Sequence, residues 1–185
     1  RKTVGDSVKL VWHQTWAYAQ NSTHSDFANY NKDQLTMYRA IVEASRKAFK
    51  DNGFDILVPA GMAVQNARTT FIGDHMNRDG YHLNILYGRY TAACTWCEAL
   101  FGCVLDNGYA PEGLSRSLLT ATRQSAPCAW LRPDAVTALL TIVSDGQGRV
   151  VFARPYGDSH LTDIRDGRPW SPALGRADLL HPTAH

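Results

Sequence analysis

Asn77-Arg78-Asp79-Gly80-Tyr81-His82-Leu83-Asn84 sets a carboxylate three residues ahead of an imidazole, with a glycine between them and an amphipathic run behind. A carboxylate that accepts one ring N–H of a histidine fixes its tautomer. The other nitrogen is then left to take a proton from a nucleophile. That is general-base chemistry. The same residues admit a plainer account, in which Asp79 and Asn84 only start a helix and His82 is a solvated bystander. A third account is metallic: Asp74, His75, Asp79 and His82 are four potential ligands, and two imidazoles with a carboxylate suit zinc. His75 and His82 lie in a loop with no fixed face, so the acid–base account is preferred. Neither a metal nor an organic cofactor is expected.

These side chains need elements to hold them. Val8 to Trp12 is a short β-branched and aromatic run that reads as a buried strand. Ser22 to Asn31 has turn composition. From Asp33 a helix is expected, with Leu35, Tyr38, Ile41, Val42, Ala48 and Phe49 on one face. Asp33 can cap its start, and Gly53 stands where a left-handed C-terminal cap belongs. Phe54 to Val58 reads as the next strand, closed by Pro59 and Gly61, and a loop is expected from there to Asn77. A second helix is expected over about Ile85 to Phe101, burying Leu86, Tyr90, Ala93, Cys97, Leu100 and Phe101, with Gly102 after its end. Gly113 to Trp130 can hold a third helix, interrupted at Pro127. Leu139 to Val143 and Arg149 to Ala153 flank a Gly-rich turn and read as a hairpin. Arg154 to His185, rich in Pro, Gly, Arg and Asp, is expected to be loosely ordered.

Strands alternating with long helices predict an α/β fold with a parallel sheet, whose ligand crevice lies off the carboxyl ends of the strands. His13 and Trp16 fall at that edge and are the candidate substrate-contacting residues.

Composition narrows the function classes. A chain of 185 residues with 44% hydrophobic and 19% charged residues can bury a sizeable core and is not a disordered polymer. A net charge of +2, spread along the chain, argues against a nucleic-acid partner. No apolar run approaches the roughly 18 residues of a membrane span. Cys94, Cys97, Cys103 and Cys128 form no disulfide framework by spacing, and the Cys94-Thr-Trp-Cys97 pair lies inside a helical pattern, where packing is its expected role. The chain opens at Arg1-Lys2 without Met, which reads as a processed chain or a fragment.

The block Asp79-Gly-Tyr-His82-Leu-Asn84, followed by Tyr87-Gly88-Arg89-Tyr90, resembles the terminal catalytic block of the SGNH (GDSL-type) hydrolases. Leu10-Val-Trp-His-Gln-Thr-Trp-Ala-Tyr18, the helix ending near Lys50, the Ile56–Ala60 strand and Ala110-Pro-Glu-Gly-Leu-Ser115 resemble one largely uncharacterised bacterial branch of that superfamily. The likeness covers roughly residues 8 to 138. It implies a flavodoxin-like, three-layer α/β/α sandwich in which His82 is general base and then general acid, and Asp79 orients it. It further implies ester hydrolysis, on a small-molecule or carbohydrate ester, by a serine nucleophile. A secreted or periplasmic bacterial setting suits that branch, although the sequence fixes neither compartment nor oligomeric state.

The nucleophile itself is not evident. Gly5-Asp6-Ser7 precedes a strand where a nucleophile turn should follow one. Gly157-Asp158-Ser159 follows a strand but comes after the histidine block, which would require a circular permutation or the start of a second domain. Residues 1–138 are therefore expected to be the C-terminal portion of such a domain, N-terminally incomplete, with 139–185 as hairpin and tail. Loss of the nucleophile costs about 10⁶ in turnover in subtilisin, so this chain alone is expected to be inactive or nearly so. The non-enzymatic rival is a carbohydrate-binding or structural α/β domain, with Trp12, Trp16, Tyr18, Phe27 and Tyr30 as sugar-stacking candidates.

Overall fold

The computed structural model describes Gly5, residues 7–137, Leu139 and the backbone of residues 141–144 and 150–154. Strand β1 is Val11–His13, shorter and later than the expected run, and Val8 is exposed. A six-residue 3-10 turn, Ser25–Tyr30, buries Phe27 completely, so this ring fills core. Helix α1, Gln34–Asp51, starts where Asp33 accepts a hydrogen bond from the Thr36 amide at 2.6 Å, as its capping role requires. Gly53 follows its end at φ +62°, the left-handed conformation a glycine adopts without a Cβ clash. Strand β2, Ile56–Val58, pairs parallel with β1 in the register Val11–Ile56, Trp12–Leu57 and His13–Val58.

The stretch after β2 is not a loop. Helix α2, Ala60–Arg68, is buried on every side. It lacks amphipathic period because it has no solvent face, and Pro59 and Gly61 look like strand terminators in sequence. In space they begin a helix whose first amides are capped from afar: Gly61 N–H donates to the Gln14 carbonyl at 3.1 Å and Met62 N–H to Gln14 Oε1 at 2.8 Å. A Cβ on Gly61 would lie 1.8 Å from the Thr15 carbonyl oxygen, so only glycine permits this approach.

Helix α3, Tyr87–Phe101, ends at Gly102 as expected, but its buried face differs from the expected stripe. Gly88, Tyr90, Thr91, Cys94 and Thr95 are buried, whereas Ala93, Leu100 and Phe101 are exposed. Thr91 and Thr95 donate their hydroxyls back to the Tyr87 and Thr91 carbonyls, each at 2.9 Å, which lets polar side chains line a close helix contact. That contact is with helix α4, Arg116–Leu131, whose Ala121, Thr122, Ser125, Ala126 and Ala129 are buried. Helix α4 runs through Pro127 rather than stopping there. Cys94 packs with Tyr90, Val104 and Ala126, and burial raises its thiol pKa to about 11, the behaviour of a packed rather than a reactive cysteine.

Beyond α4 the chain stays bonded to α2: Thr137 N–H donates to Asn66 Oδ1 at 2.7 Å and Leu139 N–H to Thr69 Oγ1 at 3.1 Å. Strands β3, Thr141–Ser144, and β4, Val150–Arg154, pair antiparallel, as a hairpin requires. The Gly-rich connection, the tail from residue 155 and its Gly157-Asp158-Ser159 lie outside the described residues, as does Asp6. The fold is α/β, and among the described residues its parallel sheet has two strands. No helix among them is long and apolar enough to cross a membrane.

Candidate functional site

The segment between α2 and α3 doubles back on itself. Asn77 and Leu83 form an isolated antiparallel bridge, Arg78 N–H donates to the His82 carbonyl at 2.9 Å, and Asn84 N–H to the Met76 carbonyl at 2.8 Å. Gly80 makes the reversal at φ +88°, with Ser22 so close that a Cβ would sit 3.0 Å from its Cα. The turn is seated on the segment leaving the carboxyl end of β1. Ala19 N–H donates to the Gly80 carbonyl at 2.8 Å and the Trp16 indole N–H to the Tyr81 carbonyl at 2.9 Å.

Within this turn Asp79 and His82 meet. Asp79 Oδ2 lies 2.8 Å from His82 Nδ1, and Oδ1 accepts the His82 amide at 2.8 Å and the Tyr81 amide at 3.3 Å. Desolvation works to raise the Asp79 pKa. Hydrogen bonds from the His82 ring and from the two amides overcome it and hold the carboxyl at about 2. An ionised carboxylate only accepts, so Nδ1 carries the proton and Nε2 of the neutral ring is the basic nitrogen. Both side chains are half-exposed, and Arg78 Nε places a cation 3.5 Å from Asp79 Oδ2.

The helix-start account divides between the two residues. Asn84 does sit at the entry to α3, two residues ahead of its N-cap Leu86, its Oδ1 accepting the Leu86 and Tyr87 amides at 2.9 and 3.2 Å. Asp79 caps no helix; it closes its own turn and holds His82. The structure does not gather the four candidate zinc ligands at one point. Asp74 is engaged elsewhere, its Oδ1 3.1 Å from Arg68 Nε and its Oδ2 accepting the Gln20 amide at 2.6 Å. Among the described residues no three His, Cys, Asp or Glu side chains are grouped to hold a metal.

His13 and Trp16 are neighbours, their rings perpendicular at 6.2 Å, but each is already engaged. Trp16 spends its indole N–H on the Tyr81 carbonyl. His13 Nδ1 accepts the Trp96 indole N–H at 3.0 Å, with the rings near-parallel, and burial lowers the His13 pKa, favouring its neutral form. Trp96 was not legible as a site residue, since α3 contributes it from 83 positions away. Of the other aromatics, Trp12 packs edge-on against Phe54, and Tyr18 and Tyr30 pack around Phe27 and Met37.

Sequence reasoning also passed over Arg68. Its guanidinium is buried and ion-paired to Asp74, and donates to Gln65 Oε1, the Ala17 and Tyr18 carbonyls and Asn77 Oδ1. Burial lowers its pKa to about 10, against the opposing pull of Asp74, so it is charged at neutral pH. The only hint in sequence was a lone arginine at the end of an otherwise uncharged run.

A family model described as Domain of unknown function (DUF4886) matches residues 1–129. No curated protein matches the chain. Among solved structures, the chain is similar to the crystal structure of a DUF4886 family protein from Bacteroides uniformis ATCC 8492, at 51% identity and a TM-score of 0.72. The match covers 74% of this chain and 53% of the other, so this chain spans about half the length of that relative.

Proposed function

This chain belongs to the DUF4886 family, and on that premise we propose that it forms part of an SGNH-type serine ester hydrolase in which His82 is the general base and Asp79 its orienting acid. The observation that carries the reading is the 2.8 Å contact between Asp79 Oδ2 and His82 Nδ1. It presents Nε2 of a half-exposed ring for proton transfer. In the forward step Nε2 takes the proton of a serine hydroxyl as the oxygen attacks the ester carbonyl. In the next step the imidazolium returns that proton to the departing alkoxide, and Asp79 stabilises the cation between the two. The three-layer sandwich belongs to this proposal. So does the substrate class, a small-molecule or carbohydrate ester.

Two features support the placement. The turn is hydrogen-bonded to the segment leaving the carboxyl end of β1, where crevices of parallel sheets lie. His13 and Trp16 flank the same edge. The serine has no assignment among the described residues.

Hydrolysis of p-nitrophenyl acyl esters by the protein in its full genomic length tests the reading. His82→Ala is expected to lower kcat/KM by about 10²–10⁴-fold, and a fluorophosphonate probe to label one serine in wild type. Turnover indifferent to His82→Ala, or no labelled serine, would sink the proposal.

A further inference from the structure

We propose that Arg68 and Asn77 are positioning residues for the His82 imidazole, acting through the Tyr81 carbonyl; the inference rests on the hydrolase reading and deepens it. Arg68 ends α2 and is enclosed, its side chain 4% exposed. It draws on partners from four places: Gln65 one turn back (3.0 Å), the Ala17 and Tyr18 carbonyls beyond β1 (3.0 and 3.3 Å), Asp74 (3.1 Å) and Asn77 Oδ1 (2.6 Å). A guanidinium only donates, so the Asn77 amide has one possible orientation. Its Oδ1 takes the Arg68 hydrogen bond and its Nδ2 donates to the Tyr81 carbonyl at 3.0 Å.

That carbonyl accepts a second bond, from the Trp16 indole at 2.9 Å. Two donors from different directions fix the peptide that joins Tyr81 to His82. The Tyr81 ring lies 4.2 Å from the His82 ring, so this peptide also sets the wall beside the imidazole. An apolar side chain at the Arg68 site could not aim the Asn77 amide. The exposed turn is thereby indexed to the buried core by two successive hydrogen bonds, Arg68 to Asn77 and Asn77 to Tyr81.

Asn77→Asp isolates the link, because it keeps an acceptor for Arg68 and removes the donor to Tyr81. Two readouts are compared with wild type, alongside the thermal midpoint: solvent exchange of the His82 Nδ1 proton by NMR on the 185-residue chain, and kcat and KM for ester hydrolysis by the protein in its full genomic length. Asp79→Asn serves as the reference for a lost ring bond. Expected are an unchanged midpoint, exchange about tenfold faster or more, and kcat lower by about 10–100-fold with KM within about twofold. Exchange and kcat unchanged in both Asn77→Asp and Asn77→Ala overturn the proposal. So does exchange that accelerates only in proportion to a fall in thermal midpoint, which marks a global brace. Should the wild type hydrolyse no ester, the exchange arm decides alone: faster exchange in Asn77→Asp upholds the positioning role while the hydrolase reading falls.

Discussion

Residues 60–70 and residues 77–84 are close neighbours in the chain and opposites in physical character. Every residue of the first stretch is buried, and of the second only Leu83 is. The first carries one charged side chain, Arg68, and otherwise reads as filler. The second carries Arg78, Asp79 and His82 in five residues. Yet the bonds Asp79 makes are short-range, to residues two and three positions on, and the Asp79 and His82 side chains are open to water. A group meant to exchange a proton with substrate has to be reachable, and a reachable turn has little packing of its own. Its anchorage is imported, from Arg68 of the buried stretch through Asn77 and from the segment after β1 through Gly80 and Tyr81.

Arg68→Met is the harshest way to break that contrast. It leaves Asp74, whose Oδ1 is buried, with no counter-charge, a situation that costs about 3–5 kcal/mol when one member of a buried pair is removed. Urea unfolding should show a loss of that size. A loss under about 1 kcal/mol would mean the buried stretch does not carry the stability assigned to it. Gly80→Ala strikes the turn instead. A Cβ at φ +88° is strained by about 1–2 kcal/mol, and it would also press on Ser22 Cα. The expected result is a stability loss of that smaller order, together with faster exchange of the Ala19 amide, which the Gly80 carbonyl now protects. A loss rivalling that of Arg68→Met would erase the distinction between the two regions.

What could be read in advance follows the same division. The cap at Asp33, the left-handed Gly53 and the Asp79–His82 contact are all settled within a few residues, so composition and spacing reveal them. Helix α2 could not be read that way, because its cap comes from Gln14 and its polar residues, Gln65, Asn66 and Arg68, are satisfied from distant segments. The α3 stripe failed for a related reason. Periodicity assumes that the buried face is apolar, and here threonines that bond back to their own helix take that face. Leu100 and Phe101, the residues hydropathy would bury, are exposed. Trp96 illustrates the third limit, a pairing with His13 that exists only once the helix has docked.

The smallest effect, and the sharpest on the turn itself, is that of Asp79→Asn followed with pH. Since Asp79 is exposed, its removal should barely alter stability compared with Arg68→Met. The sign of the pH dependence is nevertheless fixed. The carboxyl is held at about 2 against an ordinary 3.8, so folding favours its ionised form. The resulting stabilisation is fully present above the ordinary value and is lost as pH falls through about 2. Wild type should therefore exceed Asp79→Asn in urea midpoint at pH 7 and at pH 5, and the gap should narrow from pH 4 downward and close near pH 2. A gap that persisted unchanged to pH 2 would show that the carboxylate's charge contributes nothing and that only the shape of the side chain matters. In that event the hydrogen bond to His82 would be an accident of proximity, and the imidazole would lack the fixed tautomer that a general base needs.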